Sequence, residues 1–190
     1  MSLRATPNLY VVRPADANET ARAWRFAVGR DDAPTVLAFT RQGLPNLDPD
    51  AVPADAVERG AYVLQDGGSS EPDVILIGTG SEVAICVEAA ERLEGDGVKA
   101  RVVSMPCWDA FADQDQGYRD SVLPPSVRAR VSVEAGASLG WERWIGDAGE
   151  AVAMRGFGAS GPYDELYEHF GFTPEKVAEA AKRSIDRASK

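Results

Sequence analysis

Hydrophobic and polar positions along this chain keep one of two rhythms, and each change of rhythm marks the border of an element. The first stretch predicts strand, helix, strand, with Asn8 to Val12 extended, Ala17 to Gly29 helical and Thr35 to Thr40 extended again. Asp16 stands as the helix cap with Glu19 as the reciprocal acid, Ala21, Trp24 and Val28 form an apolar stripe on one face, and Gly29 ends the helix. Two strands and one crossover helix cannot bury both faces of a sheet. Residues 3 to about 47 are therefore expected to be the end of a domain whose remainder lies elsewhere. The stretch from Gln42 to Gly60 holds three prolines and no sustained period, which suits a linker.

After it the pattern restarts. Ala61 to Gln65 predicts a short strand, followed by a polar turn through Gly67, Gly68, Ser69 and Ser70. Continuous apolar runs at Asp73 to Ile77 and Ala100 to Met105 flank a helix over Ser81 to Glu94, as expected of strands buried on both faces of a mainly parallel sheet. One helix is predicted from Trp108 to Leu123, a strand over Ala129 to Val133, a helix around Trp141 to Ile145 and a strand over Ala151 to Arg155. Helices over Pro162 to Phe170 and Pro174 to Ala188 close the chain, the last capped by Thr173 and striped by Val177, Ala181 and Ile185. The sum is a three-layer α/β/α domain preceded by a strand-helix-strand piece.

Composition narrows the partners. The 190 residues carry a formal charge of -10, and no basic stripe interrupts the acidic excess, which excludes a nucleic-acid footprint. No apolar run approaches the ~20 residues of a membrane span, and the N-terminus lacks the pattern of a signal peptide. Cys86 and Cys107 form no paired framework, and His169, the one histidine, gives them no zinc spacing, so a reducing, cytoplasmic setting is expected.

Few residues offer chemistry. Gly78-Thr79-Gly80-Ser81 sits where a buried strand turns into a helix, a place suited to phosphate. A dinucleotide fingerprint would need a small residue at Val83 and an acid near Ser104 or Met105, so the preferred reading is a tight turn capped by Ser81 or Thr79, with Glu82 stabilising the helix terminus. Ser160 in Gly158-Ala159-Ser160-Gly161-Pro162 fails the spacing of a nucleophile elbow and reads as a helix start, and His169 lacks a second histidine or a placed acid. Arg41 directly follows the strand Thr35 to Thr40, and a guanidinium beyond the carboxyl end of a parallel strand can grip a phosphate bidentately or form a plain surface ion pair. Asp16 and Asn18 share that position and read more readily as helix-capping residues.

The ordered segments resemble transketolases along nearly the whole chain. The resemblance is carried by Pro7-Asn8-Leu9, Arg13 to Glu19, Arg41 to Pro45, Gly60 to Leu64, Gly78 to Val83, Arg101 to Pro106, Val133 to Gly136, Phe157 to Ser160 and Phe170 to Glu175. It implies that residues 1–50 end a pyrimidine-binding domain and that residues 51–190 form the family's C-terminal domain, a five-stranded, mostly parallel sheet whose first strand, Ala61 to Gln65, runs antiparallel. It further implies a parent homodimer that uses thiamine diphosphate with Mg2+ or Ca2+ to transfer a two-carbon ketol unit between sugar phosphates of the pentose phosphate pathway. Among site residues the resemblance transfers only Arg41, as the ligand of the sugar phosphate, with Thr40 and Gly43 where relatives often carry serine and asparagine. No catalytic, cofactor-binding or metal-ligating residue is carried over, and the chain alone is expected to be inactive. Two alternatives remain: a C-terminal subunit of a split transketolase acting as an interaction module, and a regulatory domain binding a nucleotide at Gly78 to Ser81.

Overall fold

The computed structural model describes residues 1–68 and 71–190. Two sheets are present. Strands β1 (Tyr10–Val12) and β2 (Thr35–Leu37) pair in parallel, with Val12 opposite Leu37, and are joined through helix α1 (Ala17–Gly29). Both strands are shorter than expected: the chain leaves the ladder after Leu37, and Asn8 takes a left-handed turn, φ 59°, before β1.

The second sheet contains β3 (Tyr62–Gln65), β4 (Val74–Gly78), β5 (Ala100–Ser104), β6 (Arg130–Ala137) and β7 (Glu150–Met154), in the order β3-β5-β4-β6-β7. All pairs are parallel except β3 with β5, as the resemblance implied. Every residue of β4 and β5 is buried, because helices cover both faces of the sheet. On one face α2 (Glu82–Gly95) and α7 (Pro174–Ala188) pack Cys86, Ala89, Leu93, Val177 and Ala181 against Val74, Leu76, Val102 and Val131. On the other, α3 (Trp108–Ala112), α4 (Gln116–Val122) and α5 (Glu142–Ile145) pack Phe111, Val122, Trp144 and Ile145 against Ile75, Ile77 and Val103. This is the three-layer arrangement. Helix α6 (Tyr163–Phe170) buries no residue completely.

Two expectations are corrected. The predicted helix over Trp108 to Leu123 is two helices, because Asp115 accepts the Tyr118 amide at 2.9 Å and starts a new one. The Ala21, Trp24, Val28 stripe of α1 faces outward, with Trp24 54% and Val28 79% exposed, while Glu19, Ala23 and Phe26 form the buried face. The stretch from Gln42 to Gly60 is packed down: Val52, Ala56 and Val57 are buried, and Leu47 donates its amide to Asp16 at 2.8 Å. Gly67 and Gly68 form the expected turn, whose Ser69 and Ser70 lie outside the described residues. No helix among the described residues is long and apolar enough to cross a membrane.

The two sheets meet at their strand ends. The Arg13 amide, just past β1, donates to the Pro106 carbonyl at 2.9 Å, and the Gly80 amide donates to the Arg13 carbonyl at 3.0 Å. The residues following β1, β4 and β5 are thereby laced together.

Candidate functional site

Parallel pairing of β1 and β2 brings Arg13 and the segment from Ala38 to Gln42 to the same edge. Against that edge stands the turn between β4 and α2. Together with Tyr167 of α6 they enclose a cleft of about 340 Å3, lined by Arg13, Thr40, Arg41, Gln42, Ser81 and Tyr167 among others. Arg41 is exposed and makes no ion pair or hydrogen bond with any described residue, so the surface ion pair it was weighed against is not formed.

Arg13 is the opposite case. Its guanidinium donates to Glu82 at 3.0 Å and to Glu134 at 2.8 Å. Burial works against its charge, but the two carboxylates prevail and hold its pKa above the ordinary arginine value. Gly80 permits this approach: its φ is 63°, and a Cβ there would lie 3.2 Å from the Arg13 Nη2.

Glu82 is completely buried. Oε2 accepts from Arg13 and from the Ala135 amide at 3.1 Å, and Oε1 from Ser81 Oγ and Tyr167 Oη, each at 2.7 Å. The expected cap is thus corrected. Ser81 makes no capping bond and gives its hydroxyl to Glu82, while the buried Thr79 hydroxyl has no partner. Glu134 accepts from Arg4 at 2.7 Å, Arg13 and Trp141 Nε1 at 2.8 Å; burial alone would raise its pKa, but Arg4 and Arg13 bring it below the ordinary carboxylate range.

Glu19 is a third buried acid. Glu19 accepts from Tyr62 at 2.7 Å, Ser104 at 2.5 Å and the Ala15 amide at 2.7 Å. Desolvation dominates, and the Glu19 pKa is raised despite these donors. Asp16 caps α1 as expected, accepting the Glu19 amide at 2.8 Å. The reciprocal bond differs, since Glu19 takes the Ala15 amide. Asn18 does not cap the helix; its amide bonds Asp16 and the Leu47 carbonyl, each at 3.3 Å.

The remaining candidates lie outside this arrangement. Ser160 is exposed ahead of α6, and His169 is exposed in its last turn. Cys86 and Cys107 are free and buried; burial pushes the Cys107 thiol up to about 11, so neither is poised as a thiolate. Among the described residues no three His, Cys, Asp or Glu side chains gather where they would hold a metal ion. Arg13, Gln42 and Tyr167 were not singled out from the sequence. For Arg13 a signal existed, because it follows β1 much as Arg41 follows β2.

Residues 60–173 match the family described as "Transketolase-like TK C-terminal domain", and residues 1–46 match "Transketolase, pyrimidine binding domain". The chain belongs to the transketolase family. It is 51% identical over 184 residues to Transketolase 7 of Craterostigma plantagineum, a match covering 95% of this chain and 27% of that protein. The solved structure of transketolase from Leishmania mexicana superposes with a TM-score of 0.92 at 40% identity, covering all of this chain and 27% of that one. The transketolase of Pichia stipitis in complex with sedoheptulose 7-phosphate gives 0.89 at 40% identity, covering 97% of this chain and 26% of that one. The chain thus spans about a quarter of the length of these transketolases.

Proposed function

We propose that this chain is the portion of a transketolase in which residues 1–50 complete the pyrimidine-binding domain and residues 51–190 form the C-terminal domain. Arg41 binds the phosphate of the sugar substrate. The observation that carries this assignment is an unpaired guanidinium beyond the carboxyl end of a parallel strand, opening on a cleft with room for a ligand. The sugar phosphate named for the Pichia stipitis structure supports the substrate class. The parent enzyme is a homodimer of the pentose phosphate pathway, working in the cytoplasm with thiamine diphosphate and Mg2+ or Ca2+. The cofactor supplies an electron sink for the transferred ketol unit. The diphosphate and its metal are held by other parts of the enzyme, and this chain alone carries out no transfer.

In the complete enzyme, Arg41→Ala should raise KM for phosphorylated substrates about 10- to 100-fold, consistent with one charge-assisted bidentate contact, and leave the turnover of an unphosphorylated ketol donor nearly unchanged. Equal losses for both substrates would refute the phosphate role. Ketol transfer by the isolated 190-residue chain would refute the division of labour.

A further inference from the structure

We infer that Thr40 is a positioning residue for Arg41, acting through its hydrogen bonds to Gln42 on the other side of that arginine. This rests on the assignment of Arg41 to the phosphate. The segment 39–46 has little else to hold it. The chain leaves the β1–β2 ladder with the Ala38 amide on the Val12 carbonyl at 2.9 Å, and it is next anchored by the Leu47 amide on Asp16 at 2.8 Å. Between those two anchors the only hydrogen bonds among the described residues join Thr40 to Gln42. Thr40 Oγ1 accepts the Gln42 amide at 3.2 Å and donates its hydrogen to Gln42 Oε1, so the two residues close a clasp with Arg41 at its centre.

Arg41 itself is exposed and unbonded, so its backbone alone sets the direction of its side chain. Gly43 follows closely, with no heavy atom within 4 Å of where a Cβ would sit, and the chain there has the widest conformational freedom. A guanidinium on an unrestrained segment samples many directions, and a ligand that needs one of them must order the segment at the expense of its own binding free energy. The clasp does part of that ordering before a ligand arrives. Thr40 and Gln42 are half-buried while Arg41 between them is exposed, so the closed turn presents the guanidinium to the cleft that all three residues line. Thr40 has one hydroxyl hydrogen, and it is spent on Gln42. It therefore acts through Arg41 and not as a donor to the ligand.

The test is steady-state kinetics of the complete enzyme with sedoheptulose 7-phosphate and, in parallel, with sedoheptulose, which has the same carbon chain and no phosphate. Thr40→Val keeps the branched shape and removes the hydroxyl. It should raise KM for sedoheptulose 7-phosphate about threefold to tenfold, the worth of one neutral hydrogen bond, and leave kcat and the kinetics of sedoheptulose nearly unchanged. Thr40→Ser, which keeps the hydroxyl, should hold KM near the parent value. In an Arg41→Ala background Thr40→Val should add nothing, because no guanidinium is left to position. Equal losses for the two ketoses, an unchanged KM in Thr40→Val, a KM in Thr40→Ser as high as in Thr40→Val, or an undiminished loss in the Arg41→Ala background overturns the inference while leaving Arg41 its phosphate. If Arg41→Ala by itself leaves KM for sedoheptulose 7-phosphate unchanged, the phosphate assignment fails, and the inference with it. Should Thr40→Val not fold, Gln42→Met, which removes the side-chain half of the clasp, carries the same comparison.

Discussion

Glu19 is a fully buried carboxyl that faces two hydroxyls and an amide, with no cation among the described residues to balance it. Its folded pKa is raised, so above the unfolded value of about 4.3 the native state holds more protons than the unfolded chain. Its contribution to stability is complete below that value and is lost as pH rises through the folded pKa. Urea unfolding should therefore show stability falling as pH rises from about 4.3 to the folded pKa and level beyond it, and Glu19→Gln should flatten that fall, because an amide still accepts from Ala15 and donates to the hydroxyls. Glu134 has the opposite sign. Its folded pKa is lowered, so its contribution is present above the unfolded value and disappears as pH falls through the folded one. Glu19→Ala, which strands three buried donors, should cost about 2 kcal/mol or more at any pH. Identical pH profiles above about 4.3 for the parent chain and Glu19→Gln would contradict the account of Glu19.

At the scale of elements, Gly60 leads into β3 with φ 79°, and a Cβ there would lie 2.2 Å from the Phe111 amide nitrogen of α3. Gly60→Ala should lower unfolding free energy by about 3 kcal/mol or more by forcing β3 away from α3, measured by thermal or urea unfolding. The helix α7 cap is milder: Thr173 accepts the Lys176 amide at 3.3 Å, and Thr173→Ala should cost about 0.5–1 kcal/mol. Local chemistry made α7 legible from cap to end, because a Thr-Pro start and the Val177, Ala181, Ile185 stripe point the same way. Local chemistry also contained Asp115, whose cap splits the helix expected over Trp108 to Leu123, but apolar spacing on both sides concealed it. Helix α1 misled for a different reason. Trp24 and Val28 are large apolar side chains left on its exposed face, while the face that packs holds Glu19 beside Ala23 and Phe26, because hydroxyls from β3 and β5 come to satisfy that carboxyl.

For the molecule as a whole, three buried acids fasten the two-stranded unit to the five-stranded domain: Glu134 draws in Arg4 and Arg13, Glu82 shares Arg13, and Glu19 reaches Tyr62 and Ser104. Removing Glu134 leaves the largely buried Arg4 guanidinium without its counter-charge and Arg13 with Glu82 alone, so Glu134→Ala should destabilise by about 3–5 kcal/mol. The parent chain should unfold in one transition followed equally by Trp24 of the first unit and Trp144 of the second; a separate early loss of the Trp24 signal would contradict the fastening. The sequence by itself determined the order of strands and helices, the layering around β4 and β5, and Arg41 as a candidate ligand. Each of these follows from local periodicity or from the position of a residue relative to its own strand. Only the tertiary structure decided that Arg13 is neutralised while Arg41 is free, and that Ser81 and Tyr167, 86 positions apart, meet over Glu82. Those outcomes depend on which hydrogens and charges arrive from distant segments, and no local pattern encodes that.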